Sequence, residues 1–212
     1  MRRFFLKESV SAQQVVTGKR IMFPKGILLT LAFIALCGRV IEGGISDWST
    51  LYMKSAVHFP EQLAPLGLVI YSAFMSIGRF FCDVIRKRFN GSTILLGCCM
   101  LALDGILVII ADDSFYFACV GLFVAGLGIS CLVPIIYSLA GRQKDVTPAM
   151  GIAMVNTISG TGFLFGPVVI GVITAHFTIR ASFFYICALA LLMFLLTFYY
   201  RRRERHLNGC IF

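Results

Sequence analysis

The stretch GILLTLAFIALCGRVIEGGISDWSTLYMK places Arg39, Glu42 and Asp47 inside an otherwise apolar run that starts near Gly26. Charge in such a run is expensive in hydrocarbon, so it marks an ion pair, a polar solute path or a proton site. At 1.5 Å per residue from Gly26, Arg39 lies roughly 20 Å deep, Glu42 roughly 24 Å and Asp47 about 30 Å. Arg39 and Glu42 are i,i+3 neighbours on one helical face and can pair. Two readings follow: a structural pair, or two residues that line a solute path with Glu42 as its proton site. Glu42 and Asp47 diverge by about 140° around a regular helix, so they form no carboxylate dyad unless Gly43-Gly44 unwinds it. Asp47 reads as an interfacial acid.

Other chemistry is sparse. His58, His176 and His206 fall in loops or the tail without a nearby nucleophile. There is no GxSxG, P-loop or HExxH pattern, and GLG at 126–128 sits inside an apolar run rather than after a strand. No enzyme, cofactor or metal is expected. Cys37, Cys82, Cys98, Cys99, Cys119, Cys131 and Cys187 lie in apolar blocks and Cys210 in the tail, without zinc spacing. They read as small buried apolar residues.

The elements that must hold these residues are set by composition. Of 212 residues, 58% are hydrophobic and 14% charged, and the apolar ones run in blocks. A soluble domain carries about a quarter charged residues, so a soluble enzyme or nucleic-acid-binding domain is excluded. A membrane helix needs about 20 apolar residues. Six segments qualify, at 27–52, 65–86, 92–111, 115–140, 149–174 and 180–200. The expected fold is all-α: a polytopic six-helix bundle over 27–200, a basic segment at 1–26 and a basic tail at 201–212. Arg2 and Arg3 are not followed by an apolar core before Lys7, so 1–26 is not read as a signal peptide.

The net charge of +9 is a topology signal. With six spans both termini share one side, and that side collects 15 of the 19 basic residues. Arg39 and Arg79 lie within spans, which leaves Lys54 and Arg180 opposite. The bias places both termini in the cytoplasm; the expected location is the plasma (bacterial inner) membrane, as a multi-pass protein. Glu61, Asp112 and Asp113 then lie outside, and Trp48, Tyr52 and Tyr116 fit interfacial belts. The run Arg201–Arg205 could touch anionic lipid.

The later spans are rich in small residues. Gly121, Gly126 and Gly128 permit close helix approach, and Pro134 frees a carbonyl and bends its helix. Gly162, Gly166, Pro167 and Gly171 form a second set, with GxxxG at 162–166 read as helix packing. Asp104 stands near mid-membrane, where it faces a neighbour, snorkels outward or is protonated. The sixth span is nearly all Leu, Phe, Ala and Tyr, as a lipid-facing helix is.

The order SIGRFFCDVIRKRFNG at the end of span two resembles the second, degenerate copy of the loop motif of the major facilitator superfamily, between its eighth and ninth helices. EGGISDWSTLYMK resembles helix seven of its bacterial fucose-permease-like branch, and NTISGTGFLFGPVVIGVI resembles its glycine-proline helix eleven. The resemblance covers about Phe23 to Arg203 and implies the C-terminal bundle, helices seven to twelve. It further implies that spans one, two, four and five line a central cavity while three and six face lipid. Arg39, Glu42, Tyr71, Tyr137 and Asn156 would then bind substrate. Gly78, Arg79, Asp83, Arg86 and Arg88 would form the gate, which in relatives braces against the opposite bundle.

The implied activity is alternating-access transport of a small organic solute, sugar-like or another metabolite, by a secondary carrier that is proton-coupled if Glu42 titrates. The partners are the lipid bilayer, the solute, and a complementary six-helix half or a second copy; no nucleic acid is expected. The alternatives are a non-transporting membrane partner and an inactive fragment of a truncated transporter gene.

Overall fold

In hydrocarbon the backbone must satisfy its own N–H and C=O groups, which leaves an apolar chain of this kind the choice of helix. The computed structural model describes residues 26–143 and 146–209. Those residues form seven helices and no strand. They are α1 (Ile27–Ser55), α2 (Leu66–Arg88), α3 (Gly91–Ala111), α4 (Phe115–Ser130), α5 (Leu132–Ala140), α6 (Pro148–His176) and α7 (Ile179–Gly209). Six stretches are long and apolar enough to cross a membrane, α4 and α5 together making one. The segment 1–25, together with Lys144 and Asp145, lies outside the described residues.

The fourth span is not one continuous helix. It breaks at Cys131, three residues before Pro134. Proline has no N–H to give the carbonyl four residues back, which here is Ser130, the last residue of α4. Ser130 turns its hydroxyl onto the Leu127 carbonyl at 2.6 Å, and Cys131 Sγ reaches the Gly78 carbonyl of α2 at 3.4 Å. The break is thus tied to the neighbouring helix.

Helix α1 is the central post. Its buried set includes Leu31, Ile34, Ile41, Ile45 and Met53, and it packs most extensively on α6 and then α7. Glycines set these distances: a Cβ on Gly162 would lie 2.9 Å from the Leu36 carbonyl, and one on Gly166 would lie 3.1 Å from Val40 Cγ1. In membranes such small residues substitute close van der Waals contact for a hydrophobic drive between helices. Gly43 and Gly44 belong to the same packing, against Phe163 and Ile170, and α1 runs through them without unwinding. Across the bundle α3 packs on α4, with Gly105 against Ala125 and Gly128 against Ala102, while Gly126 meets the Tyr71 carbonyl of α2.

Helices α3 and α7 each keep one face in the core. In α7 that face is Phe183, Ile186, Ala190, Met193 and Thr197, spaced three and four apart, with Phe184, Leu191, Leu195 and Phe198 exposed opposite. Tyr52 departs from its interfacial expectation: it is fully buried and donates to the Ile109 carbonyl at 2.8 Å. Its position at the end of the apolar run did not show that α3 covers it. Tyr116 is exposed and Trp48 half-buried against Gly171. Seven cysteines are free thiols, five of them buried; Cys210 lies outside the described residues.

Candidate functional site

The intramembrane charges converge. Glu42 sits near the midpoint of α1, its side chain 10% exposed. Its Oε1 accepts a hydrogen bond from Arg79 Nη2 of α2 at 3.0 Å. Its Oε2 lies 3.5 Å from Arg39 Nη1, an electrostatic contact without hydrogen-bond geometry, so Oε2 retains unused acceptor capacity in buried surroundings. Arg39 and Arg79 are 28% and 51% exposed. One carboxylate therefore stands between two guanidiniums, and the group carries one net positive charge. Burial of ions is favourable only when the partners are well placed, and here the second cation is incompletely neutralised.

The sequence paired Arg39 with Glu42 and placed Arg79 with Asp83 at the inner gate. The structure adds Arg79 to Glu42. Asp83 instead stands 4.0 Å from Arg86 and is largely exposed. An arginine nine residues inside the Arg88 end of α2, about 13 Å along the axis, needs an intramembrane acid. That requirement was the available signal, and it pointed equally to Asp83 and to Glu42.

Tyr71, two turns from Arg79 on α2, is fully buried, and its hydroxyl has no hydrogen-bond partner. Its backbone carbonyl meets Gly126 of α4, and its side chain lies near enough to Glu42 and Arg79 to feel their charges. Tyr137 of α5 donates to Asn156 Oδ1 of α6 at 2.6 Å in an exposed bond. The five expected binding residues therefore separate into the Arg39–Glu42 pair, extended by Arg79, the α5–α6 bridge, and interior Tyr71. Gly78 lies against Ser130 and Leu127 beside the helix break. Arg86 and Arg88 end α2 at the basic rim. Asp47 is exposed, and Asp104 is exposed on α3.

At the opposite end, both basic residues are paired. Lys54 bonds Glu61, and Arg180 lies 3.0 Å from Asp113. The Lys54 hydrogen bond, then its charge, holds the Glu61 carboxyl below the usual carboxylate range. Among the described residues no group of His, Cys, Asp and Glu is arranged to hold a metal ion.

A bundle of six stretches able to cross a membrane, packed around a central post with a charged group midway along it, has the form of a polytopic membrane protein. The Major Facilitator Superfamily profile matches residues 28–210, and the chain belongs to that family. It is 28% identical over 166 residues to an uncharacterized MFS-type transporter of Yersinia pestis, covering 78% of this chain and 43% of that protein. It is 27% identical to the membrane protein MosC of Rhizobium meliloti, covering 86% of this chain and 44% of MosC. The chain thus spans less than half the length of these relatives. Among solved structures, a peptide transporter POT (TM-score 0.76, 20% identity) is matched over 92% of this chain and 42% of its own. The Escherichia coli fucose:proton symporter FucP (TM-score 0.71, 15% identity) is matched over 91% and 45%. These likenesses show the fold, and the family makes the chain a multi-pass membrane protein.

Proposed function

We propose that this bundle is the C-terminal half of a secondary carrier for a small organic solute, proton-coupled through Glu42. The observation that carries the reading is Glu42 held between Arg39 and Arg79 near the midpoint of α1, with one oxygen still able to accept a proton or a donor from a solute. Secondary carriers place their sites near the midplane between two bundles that rock about it. Protonating Glu42 would release both arginines to a solute, and an anionic or hydroxyl-rich solute would satisfy them. Tyr137 and Asn156 offer a second polar contact on α5 and α6. The gate would involve Arg79, whose bond to Glu42 would open when the carboxyl is protonated, and Gly78, which lets α2 approach the break at Cys131.

The bundle works with a second six-helix unit, a complementary half or another copy. The support is the surface of α2 and α6, the least buried of the spans. Phe80, Phe81 and Val84 on α2 and Phe163, Leu164 and Val168 on α6 are exposed, and α2 also presents the half-exposed Arg79, which hydrocarbon alone would not accommodate. The basic end faces the cytoplasm, as the charge bias dictates.

The test is uptake by proteoliposomes holding the chain alone or with a complementary six-helix polypeptide. Fucose and a dipeptide are the first probes, because carriers of those classes share the fold. Glu42→Gln should lower uptake at least tenfold while membrane insertion is retained. Unchanged uptake would remove Glu42 from the mechanism.

A further inference from the structure

At the basic end of the bundle, the last turn of α2, the first turn of α3 and the last turn of α5 enclose a cavity of about 240 Å³. It is lined by Arg86, Lys87, Arg88 and Arg142, with Asn90 and Ser138. Among the described residues no acid lines it, and Asp83 stands 4.0 Å from Arg86 beside it. At about 30 Å³ per molecule of liquid water, the space equals about eight waters.

Topology alone does not produce this arrangement. A charge bias requires basic residues in loops, where they can stand apart in water. Here four cations converge on one concavity, and among the described residues no lining carboxylate relieves their mutual repulsion. The remaining lining groups are matched to the cations in polarity. The Asn90 side chain makes no capping bond to α3, whose first turn also holds no acid. The first N–H groups of α3 therefore keep no side-chain acceptor and present the positive end of the helix to the same space. Thr93 and Ile94 are served by the Asn90 carbonyl, at 3.0 and 3.1 Å. A Cβ on Gly91 would meet Leu139 Cδ2 at 3.0 Å, so the start of α3 is held hard against the end of α5. The donors are thereby fixed in relation to Arg142 just beyond α5.

We infer that this cavity binds a phosphate group. Guanidinium forks match phosphate oxygens two at a time, and free helix N–H groups add further donors. The cavity opens where the spans end, at headgroup level. Basic pockets between membrane helices on the cytoplasmic side suit anionic headgroups, and the leaflet supplies such groups at high local concentration. The occupant is therefore the headgroup of an anionic phospholipid, with a soluble phosphate as the other source of the same chemistry. A bound headgroup phosphodiester would offset one of the four positive charges and hold together the ends of α2, α3 and α5.

The experiment uses the full chain in detergent. It is titrated with short-chain phosphatidylglycerol, with the matching phosphatidylcholine and with inorganic phosphate, and binding is read by native mass spectrometry and melting temperature. Phosphatidylglycerol should bind at one per chain, at least tenfold tighter than phosphatidylcholine. The double substitution Arg88→Gln with Arg142→Gln should lower that affinity about tenfold, and Lys at both positions should restore most of it. Stabilisation by inorganic phosphate, lost in the same double variant, would support the phosphate site and assign its occupant to a soluble anion. Equal affinity for the two lipids with no response to phosphate would overturn the inference, as would a lipid preference untouched by the double substitution. Should the double variant lose its helical signal, the exposed Lys87→Gln replaces it, with a several-fold loss expected and no loss counting against the site.

Discussion

Glu42 of α1 and Arg79 of α2 meet at 3.0 Å across 37 residues of chain, and this bond is the ionic link between the two helices. A carboxylate that serves two guanidiniums is not equivalent to either of them. Glu42→Gln strands two cations, whereas Arg79→Gln leaves Glu42 paired with Arg39.

Breaking a buried pair by removing one partner costs about 3–5 kcal/mol. Arg79 is half exposed, and that figure falls toward the small values of solvated pairs. Arg79→Gln should therefore destabilise by about 1 kcal/mol and Glu42→Gln by about 2–3 kcal/mol. The double variant should lose less than the two single losses combined, because removing Arg79 relieves part of the repulsion created by Glu42→Gln. Thermal or denaturant unfolding in detergent micelles measures all three; additive losses would dismiss the coupling.

The glycines separate into two groups by what a methyl would meet. At Gly162 an added Cβ would sit 2.9 Å from the Leu36 carbonyl, and at Gly126 it would sit 2.7 Å from that of Tyr71. Backbone on a packed helix does not yield readily, so Gly162→Ala and Gly126→Ala should each destabilise by about 1–3 kcal/mol. At Gly160 nothing lies within 4 Å. Gly160→Ala should be neutral or gain about 0.4–1 kcal/mol by restricting the unfolded chain. Melting temperatures of the three variants check the order.

The same residues show what the sequence could and could not reveal. Spans were legible because hydrocarbon demands long apolar runs, and the helices begin and end within a few residues of the expected bounds except at the last span, which continues to Gly209. Pro134 announced a bend, and the chain breaks three residues earlier, at Cys131, next to the freed Ser130 carbonyl. Partners across the bundle were not legible. Nothing local to Arg79 distinguishes Asp83, one turn away, from Glu42 on another helix. Likewise Tyr52 and Tyr116 both flank apolar runs, yet α3 buries only the first. Depth along a helix follows from counting residues; the direction a side chain faces depends on which helix comes to lie against it.

Glu61 provides a pH prediction. Its carboxyl is held below the usual range by the Lys54 bond, then by the charge of that lysine. A depressed carboxylate stabilises the fold above its unfolded pKa, and the contribution disappears as pH falls through the lower, folded value. The pair is exposed, so the effect is small and salt-sensitive. Glu61→Gln should lower the melting temperature slightly at pH 7, and the difference should vanish once the pH is below the depressed folded value. A difference that persists at that pH would mean that Glu61 acts through packing and not through charge.

Asp104 is an exposed acid well inside a span. It projects from α3 among exposed Met100, Leu101 and Leu107, while the buried face of the same helix is Ala102, Gly105, Ile106 and Ile109. It lies seven residues, about 10 Å, from the end of α3 at Ala111. An aspartate at the centre of an inserting helix costs about 2.5–3.5 kcal/mol, and less as it nears the interface, where it can reach water. Asp104→Leu should therefore improve insertion of this segment by about 1–2 kcal/mol, read as the inserted fraction of α3 in a translocon assay. It should leave the melting temperature of the folded chain unchanged or higher, because the side chain has no ion-pair partner among the described residues. A fall in melting temperature would point the other way, to a polar partner seated on this face of α3 in the assembled protein. That partner would have to supply a donor at mid-membrane depth, and Asp104→Asn, which can still hydrogen-bond, would then retain most of the stability that Asp104→Leu loses.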